Sequence, residues 1–198
     1  MKQEEKIKWD YRNEINKPLK SGTLLLAQPF MDDPNFIRST CLIVNHIKEE
    51  GTFGFVLNQK TNKKLSHFID ADFNLDFDVY YGGPVGNDSL FFLHTNEHHI
   101  SGAKKISNNI YWNGNFDEIM EKIEAGIITS SEILFFLGYS GWDKGQLRKE
   151  IIENSWIVQN DEHFALKNFT KNLWKNTLLK MKGIYAEFAN FPIDPNLN

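Results

Sequence analysis

EILFFLGYSGWDKGQLRKEIIENSWIV, residues 132–158, is the stretch that decides the fold. An unbroken apolar run over residues 133–137 reads as a buried strand and leads into Gly138-Tyr139-Ser140-Gly141-Trp142. Leu147, Ile151 and Ile152 then recur at helical spacing, with Arg148, Lys149 and Glu153 on the opposite side, and WIVQ closes the stretch as a short strand. Strand, glycine-bearing turn, helix, strand is the expectation, and the turn holds a serine. A hydrolase elbow, Gly-x-Ser-x-Gly, needs small residues on both sides of its serine; Trp142 stands where the last glycine belongs, so Ser140 is not placed as a nucleophile. A phosphate loop needs Gly-x4-Gly-Lys-Ser/Thr, whereas glycines 138, 141 and 145 are spaced three and four apart with no Lys-Ser after them. A structural corner fits better. Asp143 caps the helix, Gln146 returns the bond as in a capping box, and Trp142 is buried as an anchor.

Working outward, residues 1–20 are polar and mixed in charge, an arm, and residues 21–198 form a single domain. TLLLAQP, TCLIVNH and TFGFVLN read as strands, the last two joined as a hairpin through IKEEG. Their near-continuous apolar character points to a sheet covered on both faces. FDVYYGGPV is a strand entering a Gly82-Gly83-Pro84 turn, and SLFFLHT a strand after it. Asn115 caps a helix with Glu118 completing a capping box, and Gly126 ends it. The segment after residue 168 is helical by period until Pro192 and Pro195. Strands in runs and then interleaved with helices argue an α+β fold with a mixed sheet.

Hydrophobic residues make up 41% and charged residues 24% of the 198, which is enough apolar matter for a folded core. A net charge of -4 gives no broad attraction to nucleic acid or anionic lipid. The single cysteine, Cys41, allows no internal disulfide and lies in an apolar run as an inert thiol. The charged N-terminus has no apolar core of a secretory signal, and the longest apolar run is far short of the roughly 20 residues of a membrane span. A cytoplasmic protein without membrane attachment is the expectation.

Two further stretches suggest chemistry. His94-Thr-Asn-Glu97-His98 spells H-x-x-E-H, a zinc-protease pattern that works on a helix; here it follows a strand, so no metal site is expected. Between residues 167 and 182 lie Lys167, Lys171, Lys175, Lys180 and Lys182 with no acid. Leu173, Trp174, Leu178 and Met181 form the other face. Such a helix can touch nucleic acid, membrane or an acidic partner, or simply dock with its lysines in water, and docking is favoured.

Taken in order, GTLLLAQPFMDDPNFIRSTCLIVNH, GTFGFVLNQ, YYGGPVGNDSLFFLH and LGYSGWDKGQLRKEIIENSWIV resemble the YqgE/AlgH family of small bacterial proteins. GGPV and GYSGW-x-x-GQL are its most distinctive elements. Relatives often carry Pro at the position of Lys144 and Glu at that of Asn45, and they vary around NEHH. The resemblance implies an α+β fold with a strongly curved, barrel-like mixed sheet flanked by helices. It implies no established enzymatic activity and no cofactor; some members are called transcriptional regulators, through a link to alginate production. The tight glycine turns end strands where ligands collect, so a pocket is expected around Gly82, Gly83, Ser140 and Gly141, with Asn45, His46, Asn58 and His94 nearest. The leading expectation is a non-enzymatic regulatory or binding protein acting through a protein or small-molecule partner without specific DNA binding. The alternative is an enzyme with His46 or His94 as general base.

Overall fold

The structure is a computed structural model and describes residues 12–95, 99–107, 109–161, 164–166 and 172–192. Its strands are β1 (Leu24–Ala27), β2 (Thr40–Ile47), β3 (Gly51–Val56), β4 (Lys60–Lys64), β5 (Asp78–Tyr81), β6 (Val85–His94), β7 (Lys104–Ser107), β8 (Ile110–Trp112), β9 (Ile133–Asp143) and β10 (Trp156–Gln159). The helices are α1 (Arg12–Ile15), α2 (Phe116–Glu124), α3 (Gln146–Ile152), α4 (Leu173–Met181) and α5 (Gly183–Phe188). The strands follow the path β10-β1-β2-β3-β9-β6-β8-β7, with β4 and β5 branching from β9. Among the described residues, β5 and β9 are the parallel pair and the other pairings are antiparallel. The fold is α+β with a mixed, mainly antiparallel sheet. Among the described residues the path does not close into a barrel: β10 and β7 are its ends.

Side chains alternate across a strand, and the central strands bury both sides. Leu24 and Leu26 join one core with Leu42, Phe55, Phe136 and Trp174, whereas Leu25 and Ala27 join another with Cys41, Val56, Trp142 and Trp156. Each fully buried leucine contributes about 1.5–3 kcal/mol relative to an exposed one. A third core, with Leu65, Val79, Ile119 and Phe135, lies under α2. Asn115 caps α2 by accepting the N–H groups of Asp117 and Glu118, and Gly126 (φ 68°) lies just beyond its end. Glu118 does not return the bond; its carboxylate accepts the Ser101 N–H at 2.9 Å and ties the preceding loop to the helix.

The GYSGW stretch differs from its expected form. It is not a turn: β9 runs straight through it to Asp143, and the chain reverses at Lys144 and Gly145. Gly138 (φ 69°) distorts the strand without ending it. Asp143 does not cap α3. The preceding position is Gly145 in the left-handed region, and only half of the proposed box exists, the Gln146 Oε1 accepting the Asp143 N–H at 2.9 Å. The tail is not one helix either, since Lys182 (φ 63°) and Gly183 (φ 55°) break it into α4 and α5. The apolar side of α4 is docked through Leu173, Trp174 and Leu178, with Lys175 and Lys180 exposed. Trp174 Nε1–H donates to the Ala27 carbonyl at 2.7 Å. Lys167 and Lys171 lie outside the described residues.

At the β10 end of the sheet, α1 sits against the strand. The Glu14 carboxylate is fully buried; it accepts the Val158 N–H and the Tyr185 hydroxyl, each at 2.6 Å. Lys17 Nζ donates to the Val158 carbonyl at 2.6 Å and to Glu14 at 2.9 Å.

Candidate functional site

The distortion at Gly138 sets the phase of the last six residues of β9. Gly138, Ser140 and Trp142 are buried, while Tyr139, Gly141 and Asp143 alternate with them and are half-buried or exposed. Strand β3 answers in register: Phe53 lies opposite Gly141 and Gly51 opposite Asp143. On the other side of β3, Asn45 pairs with Phe53 and Ile47 with Gly51. Directly paired residues share a face, so Asn45, Ile47, Phe53, Tyr139, Gly141 and Asp143 gather on one side of three strands. With Val85 and Phe91 from β6, Trp112 from β8 and Glu50 at the hairpin, they line an open groove of about 700 Å³. That is within the usual range of small-molecule sites.

The groove is aromatic. Phe53 meets Trp112 at 5.1 Å and Tyr139 at 6.0 Å between ring centroids, both edge-to-face, and Phe91 meets Tyr139 at 5.9 Å. Phe53, Phe91, Trp112 and Tyr139 are all only partly buried. Gly141 has no side chain to fill the space above Tyr139: a Cβ there would lie 3.3 Å from the Tyr139 ring.

Of the residues expected at a pocket, Asn45 and Gly141 line this groove. His46 is one residue out of phase. It pairs with Thr52, not Phe53, and its Nδ1 lies 2.7 Å from the Thr52 hydroxyl. Burial, helped by Arg148, holds the His46 imidazole below its ordinary pKa. His94 is elsewhere, almost wholly buried, with Nδ1 2.9 Å from the Thr95 carbonyl and Nε2 3.0 Å from that of Asn113. Both nitrogens face backbone carbonyls, so neither is presented to a substrate. Glu97 and His98 lie outside the described residues. Asn58 cross-links loops, accepting the Thr40 N–H and donating to the Arg38 carbonyl, each at 2.8 Å.

Ser140, Gly82 and Gly83 do meet, behind the groove. Ser140 is fully buried and its Oγ–H donates to the Gly82 carbonyl at 3.1 Å. That carbonyl also accepts the Val56 N–H, and the Gly82 N–H donates to the Leu137 carbonyl. The crossing is so close that a Cβ on Gly83 (φ 149°) would lie 2.3 Å from the Tyr139 carbonyl carbon. Cys41, nearby and fully buried, has its thiol pushed up to about 12 by burial. These residues pack the fold together.

The AlgH-like family model matches residues 24–186. The chain belongs to the AlgH-like family. A UPF0301 protein of Bacteroides fragilis is 41% identical over 179 residues, covering 89% of this chain and 90% of that protein. One from Cytophaga hutchinsonii is 36% identical over 183 residues, 91% of this chain and all of the relative. In fold, this AlgH-like chain is similar to the solution structure of AlgH from Pseudomonas aeruginosa, with a TM-score of 0.68 at 24% identity over 89% of this chain and 97% of the other. A crystal structure of a Corynebacterium diphtheriae protein gives a TM-score of 0.70 at 22% identity, over 89% of this chain and 94% of that one.

Sequence reasoning misses most of the groove in this AlgH-like chain. Phe53 and Phe91 read as strand residues, Glu50 as loop, Tyr139 as part of a turn and Asp143 as a cap, although strand alternation carried through GYSGWD separates Tyr139, Gly141 and Asp143 from their buried neighbours. Among the described residues, no cluster of three or more His, Cys, Asp or Glu side chains is arranged to hold a metal. No helix among them is long and apolar enough to cross a membrane.

Proposed function

We propose that this AlgH-like protein is a cytoplasmic, non-enzymatic binding protein, and that the aromatic groove across β2, β3, β9 and β6 holds a small molecule. The observation that carries this reading is the run of partly exposed rings, Phe53, Tyr139, Phe91 and Trp112, around the space left open by Gly141. Aromatic rings of this kind bind planar and apolar groups. The enzyme reading is weaker, because Ser140 is sealed behind the groove and neither His46 nor His94 lines it. Any regulatory role then runs through ligand occupancy and a partner, with no specific recognition of DNA by this chain. Its net charge of -4 and the docked α4 support that separation.

Titration with a set of small aromatic fragments, followed through backbone amide and indole resonances, tests the reading. Shifts should centre on Phe53, Trp112, Tyr139 and Gly141 and vanish in Gly141→Leu, whose side chain fills the groove. Fragments that shift none of these residues would overturn it.

A further inference from the structure

We infer that the ligand of the groove is a small organic cation with an apolar body. This rests on the binding reading above and narrows it. Three observations carry it. First, among the described residues the charged side chains lining the groove are Glu50 and Asp143, with no lysine, arginine or histidine. Second, the two acids stand together at one end: Asp143 is directly opposite Gly51 in the β3–β9 register, and Glu50 immediately precedes Gly51. Among the described residues neither carboxylate has a hydrogen-bond or ion-pair partner, although carboxylates on this chain do pair where a cation is near, as Lys60 and Lys64 do with Asp78. Third, one of the rings already accepts a cation. The ammonium of Lys104, which pairs with Trp112 from the neighbouring strand and does not line the groove, sits 5.5 Å from the Trp112 centroid.

Aromatic faces attract cations through their quadrupole, and they do so best for large, weakly hydrated ones such as quaternary ammonium groups. A carboxylate pair at one end adds a charge that an apolar neutral molecule cannot use, and an anion would be repelled by it. The missing side chain at Gly141 leaves space for a bulky head beside the Tyr139 ring. A groove of about 700 Å³ suits a whole small molecule rather than one side chain inserted from a protein.

The test compares phenyltrimethylammonium with its neutral isostere, tert-butylbenzene, by amide and indole chemical shifts on the full chain. The cation should bind at least about fivefold tighter, with shifts at Trp112, Tyr139 and Gly141. Glu50→Gln/Asp143→Asn should abolish the preference while leaving the neutral compound's binding and the melting temperature unchanged. Gly141→Leu should remove both. Equal or tighter binding of tert-butylbenzene would overturn the cation inference and leave the binding reading standing. No shift with either compound would overturn both. Acetyl-arginine amide binding tenfold tighter than phenyltrimethylammonium would replace the small molecule with a basic protein partner.

Discussion

Residues 138–143 lie on one strand but belong to two different surfaces. Toward the interior, Gly138, Ser140 and Trp142 are packed without space: Gly138 under the Gly83 and Val85 carbonyls, Ser140 bonded to Gly82, and Trp142 donating to Glu150 at 2.9 Å. That Glu150 carboxylate also accepts from Trp156 at 2.8 Å and Gln146 at 2.9 Å. Toward the groove, Tyr139, Gly141 and Asp143 leave rings, a gap and a charge facing solvent. A six-residue signature therefore mixes two kinds of constraint, and substitutions at alternate positions should separate stability from binding.

The largest effect is expected at the crossing. Gly83→Ala must place a Cβ about 2.3 Å from the Tyr139 carbonyl carbon at φ 149°, so backbone has to move. A loss of about 4 kcal/mol or more is expected in urea unfolding, and near wild-type stability would break the contrast at its centre. Trp142→Ala comes next, at about 3–5 kcal/mol, through cavity formation against Phe36 and Trp156 and the loss of one donor to Glu150. Ser140→Ala should cost only about 1 kcal/mol, because the Gly82 carbonyl keeps the Val56 N–H. Covalent labelling of Ser140 by a serine-directed phosphonate would contradict its sealed position. On the groove face, Gly141→Ala should change stability by less than about 0.5 kcal/mol, since this residue needs no positive φ and the Tyr139 ring has only to yield slightly.

The smallest effect concerns pH. Because the folded pKa of His46 is lowered by burial, the unfolded chain takes up its proton first as pH falls. The contribution is present above the unfolded value of about 6.5 and is lost below it, levelling off once the folded state also protonates. His46→Gln should flatten that part of a stability profile; an unchanged slope would show that other groups produce it.

The β2–β3 hairpin and the Asn115 cap are legible in the sequence because local patterns specify them: apolar runs around a polar loop, and an asparagine before an amphipathic run. The strand through GYSGW is not, since glycine is equally at home in a turn and in a strand that another backbone crosses closely. Only the neighbour shows which: Gly83 lies against Tyr139 and Ser140 from more than fifty residues away in sequence. In the candidate site, Asn45 and Gly141 are legible and the place of His46 is not, because the bulge between Ile43 and Asn45 sets which of two adjacent polar residues faces the groove. The aromatic rings are hidden for another reason. A phenylalanine in a strand signals burial, and partial exposure depends on the absent side chain opposite it, Gly141.

The contact at Val158 has a consequence beyond stability. An outer strand offers free N–H and C=O groups to any passing chain, and proteins with long open sheets risk joining edge to edge. Among the described residues, Glu14 and Lys17 impersonate the missing neighbour, one presenting an oxygen to the Val158 amide and the other a nitrogen to its carbonyl. Two charged side chains thus act as a false strand, stopping the sheet from growing without adding a partner that could itself be extended.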